Sequence, residues 1–88
     1  MDLGILGKKA LVCASSKGLG FGCAVALANA GVDVTMCARN EGQLIEAGKK
    51  IRKVGVQATI VVCDITTQDG VERVLEKIPN PDILINNA

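Results

Sequence analysis

The 88-residue chain has no histidine, no tryptophan and no tyrosine, and Phe21 is its sole aromatic residue. Base stacking, the usual grip on single-stranded nucleic acid, therefore has almost nothing to work with. Without histidine there is no imidazole to complete a zinc site or to act as a general base near neutral pH. Neither sign of charge dominates, because ten basic and nine acidic residues leave a formal net charge of +1. Lys49, Lys50, Arg52 and Lys53 form the only basic run and read as the solvated face of a helix, so no nucleic-acid partner is expected. No apolar run approaches the ~20 residues of a membrane-spanning helix, and no segment resembles a targeting signal. The expectation is a soluble, cytoplasmic protein with no membrane partner.

What is present suits a small packed domain. Apolar residues make up 49% of the chain and charged residues 22%, which argues for a real core and against disorder. Residues 1–88 read as one domain. Cys13, Cys23, Cys37 and Cys63 are spaced too widely for a C-x-x-C motif, so reduced, mostly buried thiols and no metal site are expected. Three of them, Cys13, Cys37 and Cys63, fall near the ends of the first three strands, where their thiols can line up across the sheet.

The order of elements follows from apolar runs and their stop signals. Ala10 to Ala14, Val32 to Ala38, Ala58 to Cys63 and Asp82 to Asn86 are short continuous apolar runs, the pattern of strands buried on both faces. Helices are predicted from Leu19 to Ala30, ended by Gly31, and from Gln43 to Val54, ended by Gly55. The second carries Leu44, Ala47, Gly48, Ile51 and Val54 on one face. Thr66-Thr67-Gln68-Asp69 resembles a capping box for a third helix that buries Val71, Val74, Leu75 and Ile78, before Pro79 and Pro81 break it. Strands alternating with helices at this spacing require a parallel sheet. If the fourth strand returns beside the first, the order is 3-2-1-4, with two helices on one face and the third on the other.

The stretch Cys13-Ala14-Ser15-Ser16-Lys17-Gly18-Leu19-Gly20-Phe21-Gly22 joins the first strand to the first helix. A glycine turn there aims backbone N–H groups and the positive end of a helix dipole at one point, which suits a phosphate. Gly18, Gly20 and Gly22 are read as the positions where positive φ or close approach is allowed. The dinucleotide fingerprint G-x-G-x-x-G would need a third glycine at Cys23.

The turn resembles instead the T-G-x-x-x-G-x-G of the short-chain dehydrogenase/reductase family, with Cys13 and Ala14 in the first two places and Gly18 and Gly20 in the last two. Asp64-Ile65 after the third strand is similar to that family's acidic position, and Asn86-Asn87-Ala88 to the start of its N-N-A-G motif. The pattern resembles its 3-oxoacyl-ACP-reductase-like members, and the resemblance covers about the first third of a typical one. The resemblance implies a Rossmann-like α/β sheet, half of a doubly wound fold, that binds a nicotinamide dinucleotide. It carries over a cofactor-binding set of Ser15, Ser16, Lys17, Gly18, Leu19, Gly20, Arg39, Asn40, Asp64, Ile65, Asn86, Asn87 and Ala88. In it Asp64 contacts the adenine and the Asn86 segment borders the adenine ribose. An NAD enzyme usually ends its second strand on a carboxylate that accepts from the ribose 2′-hydroxyl. Here Ala38 occupies that place, Arg39 follows, and Lys17 adds a second cation, so NADP(H) is expected over NAD(H).

The family's catalytic serine, tyrosine and lysine all lie downstream of N-N-A-G, so no catalytic residue is assigned within these 88 residues. Three readings follow: the NADP(H)-binding front part of a reductase acting on a ketone/alcohol pair, a non-catalytic nucleotide-binding module, or a fragment without a function of its own. The apolar fourth strand, Ile83-Leu84-Ile85, would be an open edge, so self-association through that edge and the sheet face beside it is expected.

Overall fold

The structure, a computed structural model, describes residues 7–13 and 18–86. Four strands alternate with three helices: β1 (Lys9–Cys13), α1 (Gly18–Asn29), β2 (Asp33–Ala38), α2 (Glu41–Arg52), β3 (Ala58–Val62), α3 (Gln68–Lys77) and β4 (Ile83–Asn86). All strand pairs are parallel and the order is β3-β2-β1-β4, as the crossover argument requires. The elements agree with the predicted ones to within a residue or two at their ends.

The register sorts side chains onto two faces. Val12, Val34, Met36 and Ala58 point toward α1 and α2, where they meet Ala24, Ala28, Leu44, Ala47 and Ile51 in one buried cluster. Small residues on α1, chiefly Ala24 and Ala28, let that helix lie close to the sheet. Fully burying Met36, Leu44 or Ile51 stabilises the fold by about 1.5–3 kcal/mol each, so this face holds most of the apolar stabilisation. Arg52 fastens α2 to the sheet, since its Nε and Nη2 both donate to the Ala58 carbonyl at 3.1 and 2.8 Å. Val54 is 42% exposed, contrary to the periodicity. The helix ends at Arg52, and a turn with Val54 N–H donating to the Ile51 carbonyl takes Val54 off the apolar face.

The other face carries Leu11, Cys13, Cys37, Val61 and Cys63, packed with Val74 and Ile78. The three thiols do gather there, and those of Cys37 and Cys63 share a hydrogen bond. Among the described elements α3 alone covers this face. A helix is about 10 Å wide and strands lie about 4.8 Å apart, so one helix covers about two strands. Leu84 on β4 is accordingly 61% exposed. Val71 and Leu75, predicted to be buried, are 38% and 46% exposed, because α3 turns Gly70 and Val74 to the sheet and leaves that flank uncovered.

The start of α3 is where packing is tightest. Thr67, not Thr66, caps the helix: its hydroxyl accepts from the Gly70 N–H at 3.0 Å and donates to the Asp64 carbonyl at 2.8 Å. Gly70 lies so close to that carbonyl that a Cβ built on it would sit 1.9 Å from the oxygen. Gly70→Ala should therefore destabilise the chain by about 3 kcal/mol in a urea or thermal melt. Gly22→Ala is the matched control, since a Cβ there meets nothing within 4 Å, and it should gain about 0.5–1 kcal/mol of helix propensity.

Candidate functional site

Because the strands are parallel, their C-terminal ends lie at one edge of the sheet. Cys13 is in register with Cys37 on one side and Asn86 on the other, and Ala38 is in register with Val62. The chain steps from β1 outward to β2 and β3, then returns to β4 on the far side of β1. The winding reverses between β1 and β4, and in a doubly wound sheet that point opens a crevice beyond the strand ends.

α1 begins at this edge. Gly18 opens the helix with φ +67 and is exposed, with nothing within 4 Å of where a Cβ would stand. The first turn of α1 contains no acidic residue, so its N–H groups and positive dipole end are not already neutralised from within. This arrangement fits the phosphates of a nucleotide. Gly20 and Gly22 depart from the reading of the turn, because both lie within α1 and neither has positive φ. Gly20 is buried, and Leu19 continues the same helical turn. Ser15, Ser16 and Lys17 lie outside the described residues.

Arg39 follows β2 directly and is exposed, with Ala38 and no carboxylate at the strand's end. Asn40 has a structural duty, since it caps α2 and its Oδ1 accepts from the Gln43 N–H at 2.9 Å. Asp64 stands at the matching place after β3. Its Oδ1 accepts from the Thr66 hydroxyl at 2.5 Å and from the Thr66 N–H at 2.9 Å. These two bonds, the hydroxyl's being the stronger, hold the carboxyl below its usual range, and the Arg39 guanidinium adds a smaller pull in the same direction. Arg39 and Asp64 thus form a rim of opposite charges beside one another.

Ile65 is half-buried and packs on the thiol-bearing cluster. Asn86 ends β4 in register with Cys13, at the same edge of the sheet. Asn87 and Ala88 lie outside the described residues. Burial raises the Cys63 thiol above its ordinary value, with opposing help from Arg73 too small to reverse it. Among the described residues no group of three or more His, Cys, Asp or Glu side chains could hold a metal ion. No helix among them is long and apolar enough to cross a membrane.

Thr66, Thr67 and Gly70 are the residues that sequence reasoning missed as supports of this rim. A threonine pair two residues after a strand-ending aspartate was the available signal.

A parallel sheet whose winding reverses beside a glycine-opened helix defines the nucleotide-binding half of a doubly wound α/β protein. Residues 8–88 match the family of the short chain dehydrogenases. A tropinone reductase homolog of Arabidopsis thaliana is 39% identical over 87 residues, which are 93% of this chain and 32% of that protein. The L-sorbose reductase of Gluconobacter frateurii, solved with NADPH and L-sorbose, superposes with a TM-score of 0.94 at 38% identity, over 100% of this chain and 35% of that one. An NAD+-bound xylitol dehydrogenase superposes with a TM-score of 0.86 at 31% identity, over 96% of this chain and 34% of that one. The chain belongs to the short-chain dehydrogenase family, and it corresponds to the N-terminal, cofactor-binding part. It spans about a third of the length of the relatives it matches.

The Asp64 environment has a measurable consequence. Its native pKa is depressed, so its contribution to stability is present above the unfolded carboxyl pKa and is lost as pH falls through the native one. Thr66→Val, which removes the hydroxyl donor, should move the Asp64 pKa upward in a carboxyl-detected NMR titration. An unmoved value would exclude the hydroxyl as the cause.

Proposed function

We propose that this chain is the NADP(H)-binding front part of a short-chain dehydrogenase/reductase whose full form acts on a ketone/alcohol pair. The observation that carries the choice of cofactor is Arg39, exposed directly after β2, whose last residue is Ala38 rather than a carboxylate. The relatives use both cofactors, with NADPH in the sorbose reductase and NAD+ in the xylitol dehydrogenase, so the family alone does not decide. A guanidinium is suited to a 2′-phosphate because charge-assisted, forked hydrogen bonds are the stronger ones.

In this reading the turn before α1 receives the pyrophosphate, with Ser15, Ser16 and Lys17 as donors and Gly18, Leu19 and Gly20 as the backbone that bounds it. Arg39 and Asn40 face the 2′-phosphate, Asp64 and Ile65 the adenine, and Asn86, Asn87 and Ala88 the adenine ribose. Bound NADP(H) would supply the hydride. The residues of this chain bind and orient it, and with no tyrosine among the 88 they assign no proton donor of the family's type. Its compartment in this reading is the reducing cytoplasm, where four cysteines persist as thiols rather than disulfides.

Fluorescence titration of the chain with the two reduced cofactors tests the reading. Arg39→Ala should weaken NADPH by about 1–3 kcal/mol and leave NADH nearly unchanged. Equal losses for both would refute the 2′-phosphate assignment. The same reading includes self-association through β4 and the exposed Val71, Leu75 and Leu84. Sedimentation of the chain should show species above 9.1 kDa. A monodisperse monomer that melts cooperatively would contradict that partner assignment alone.

A further inference from the structure

At the end of the sheet remote from the crevice, the α3-side face changes character. Cys13, Cys37 and Val61 make its upper row apolar. Toward the strand N-termini the same face carries Lys9, Asp33, Thr35, Gln57 and Thr59, and Lys77 joins them from the last turn of α3. Together with Val34 and Ile78, these six residues line a cavity of about 110 Å³. Liquid water occupies about 30 Å³ per molecule, so the space holds three or four waters or one small polyatomic ion.

Three observations bear on what belongs there. Thr35 is the one buried polar residue of the described core, only 7% exposed, and its hydroxyl has no hydrogen-bond partner among the described residues. A buried hydroxyl without a partner costs about 1–3 kcal/mol, so a ligand or water that satisfies it is favoured. Second, neither Lys9 nor Lys77 forms an ion pair among the described residues, where the single salt bridge is Lys49–Glu46. The last turn of a helix favours a cation, which accounts for Lys77 but not for Lys9 or Thr35. Third, Asp33 is the only carboxylate of the lining, and its Oδ1 already accepts from the Gln57 N–H at 3.0 Å. Within the lining two ammonium groups stand against one carboxylate, and Asp82, whose Oδ2 accepts from the Lys9 N–H at 2.9 Å, lies just outside it.

We propose that this cavity is a binding site for a tetrahedral oxyanion, inorganic phosphate or the phosphate of a monoester, separate from the nucleotide crevice. The donors come from different elements: Lys9 from β1, Thr35 from the floor of β2, Thr59 from β3 and Lys77 from α3. Such a non-coplanar set matches a tetrahedral anion better than a planar carboxylate. The site draws nothing from the cofactor assignment, which concerns the opposite ends of the strands.

Equilibrium dialysis of the 88-residue chain against radiolabelled inorganic phosphate at low ionic strength tests it, because the readout does not depend on oligomeric state. Wild-type chain should bind phosphate saturably, with one equivalent at this cavity retained when NADPH fills the crevice. Lys9→Gln combined with Lys77→Gln should weaken it at least about tenfold, as loss of charge-assisted bonds would. Thr35→Val should also weaken it, and Thr35→Ser, which keeps the hydroxyl, should restore it and so separate ligand binding from folding. Arg39→Ala removes the cation at the other end and should leave phosphate binding intact, whatever it does to NADPH. Ethyl phosphate as competitor distinguishes the sources: displacement at lower concentration than unlabelled phosphate marks a monoester site, and weaker displacement marks free phosphate. Non-saturable uptake, wild-type affinity in the double lysine variant, or loss confined to Arg39→Ala would each overturn the proposal.

Discussion

Parallel pairing constrains everything in this chain, because each strand must be followed by a crossover before the next can lie beside it in the same direction. Four strands therefore call for three helices. Since the walk runs from β1 to β3 and then back past β1 to β4, two helices fall on one face and one on the other. The well-covered face holds the large apolar residues, and the thinly covered face leaves Leu84 and the flank of α3 in water. The same winding brings Cys13, Ala38, Val62 and Asn86 to one edge, so the crevice and the bare face have one cause.

Fold and site meet most closely at Asp64. Its carbonyl holds the cap of α3 through Thr67 and lies against Gly70, while its carboxylate faces the rim and is held by Thr66. Two adjacent threonines divide the work, one serving the main chain of Asp64 and the other its side chain. The position of a charged group on the rim is thereby set by how closely a helix packs on a carbonyl, a contact available only where the helix has no Cβ.

Much of this was legible from residue order alone. Continuous runs such as Leu11-Val12-Cys13 announced buried parallel strands, and Gly31, Gly55 and Pro79 marked where helices stop. Arg39 and Asp64 stand out in the sequence because each follows a recognisable strand. Periodicity misread Val71 and Leu75, since a 3.6-residue pattern tells which side of a helix is apolar and nothing about whether another element covers it. Thr66-x-x-Asp69 has capping-box spacing, but the Asp64 carboxylate recruits Thr66 and leaves the helix to Thr67. Asn40 also caps α2, a duty that its place after the second strand does not announce. The lower cavity had no local signature at all, because Lys9, Thr35 and Lys77 come from three distant segments that only the fold brings together.

The thiols sort into two kinds by position. Cys13, Cys37 and Cys63 are buried beneath α3 on neighbouring strands, and the raised pKa of Cys63 keeps it protonated as well as hidden. Cys23 sits half-buried on α1, outside that cluster. An alkylating reagent therefore meets one thiol in the folded chain and three more only when strands part from the helix above them. The rate at which those three become modified is a clock for opening of the sheet, built into the chain without any added probe.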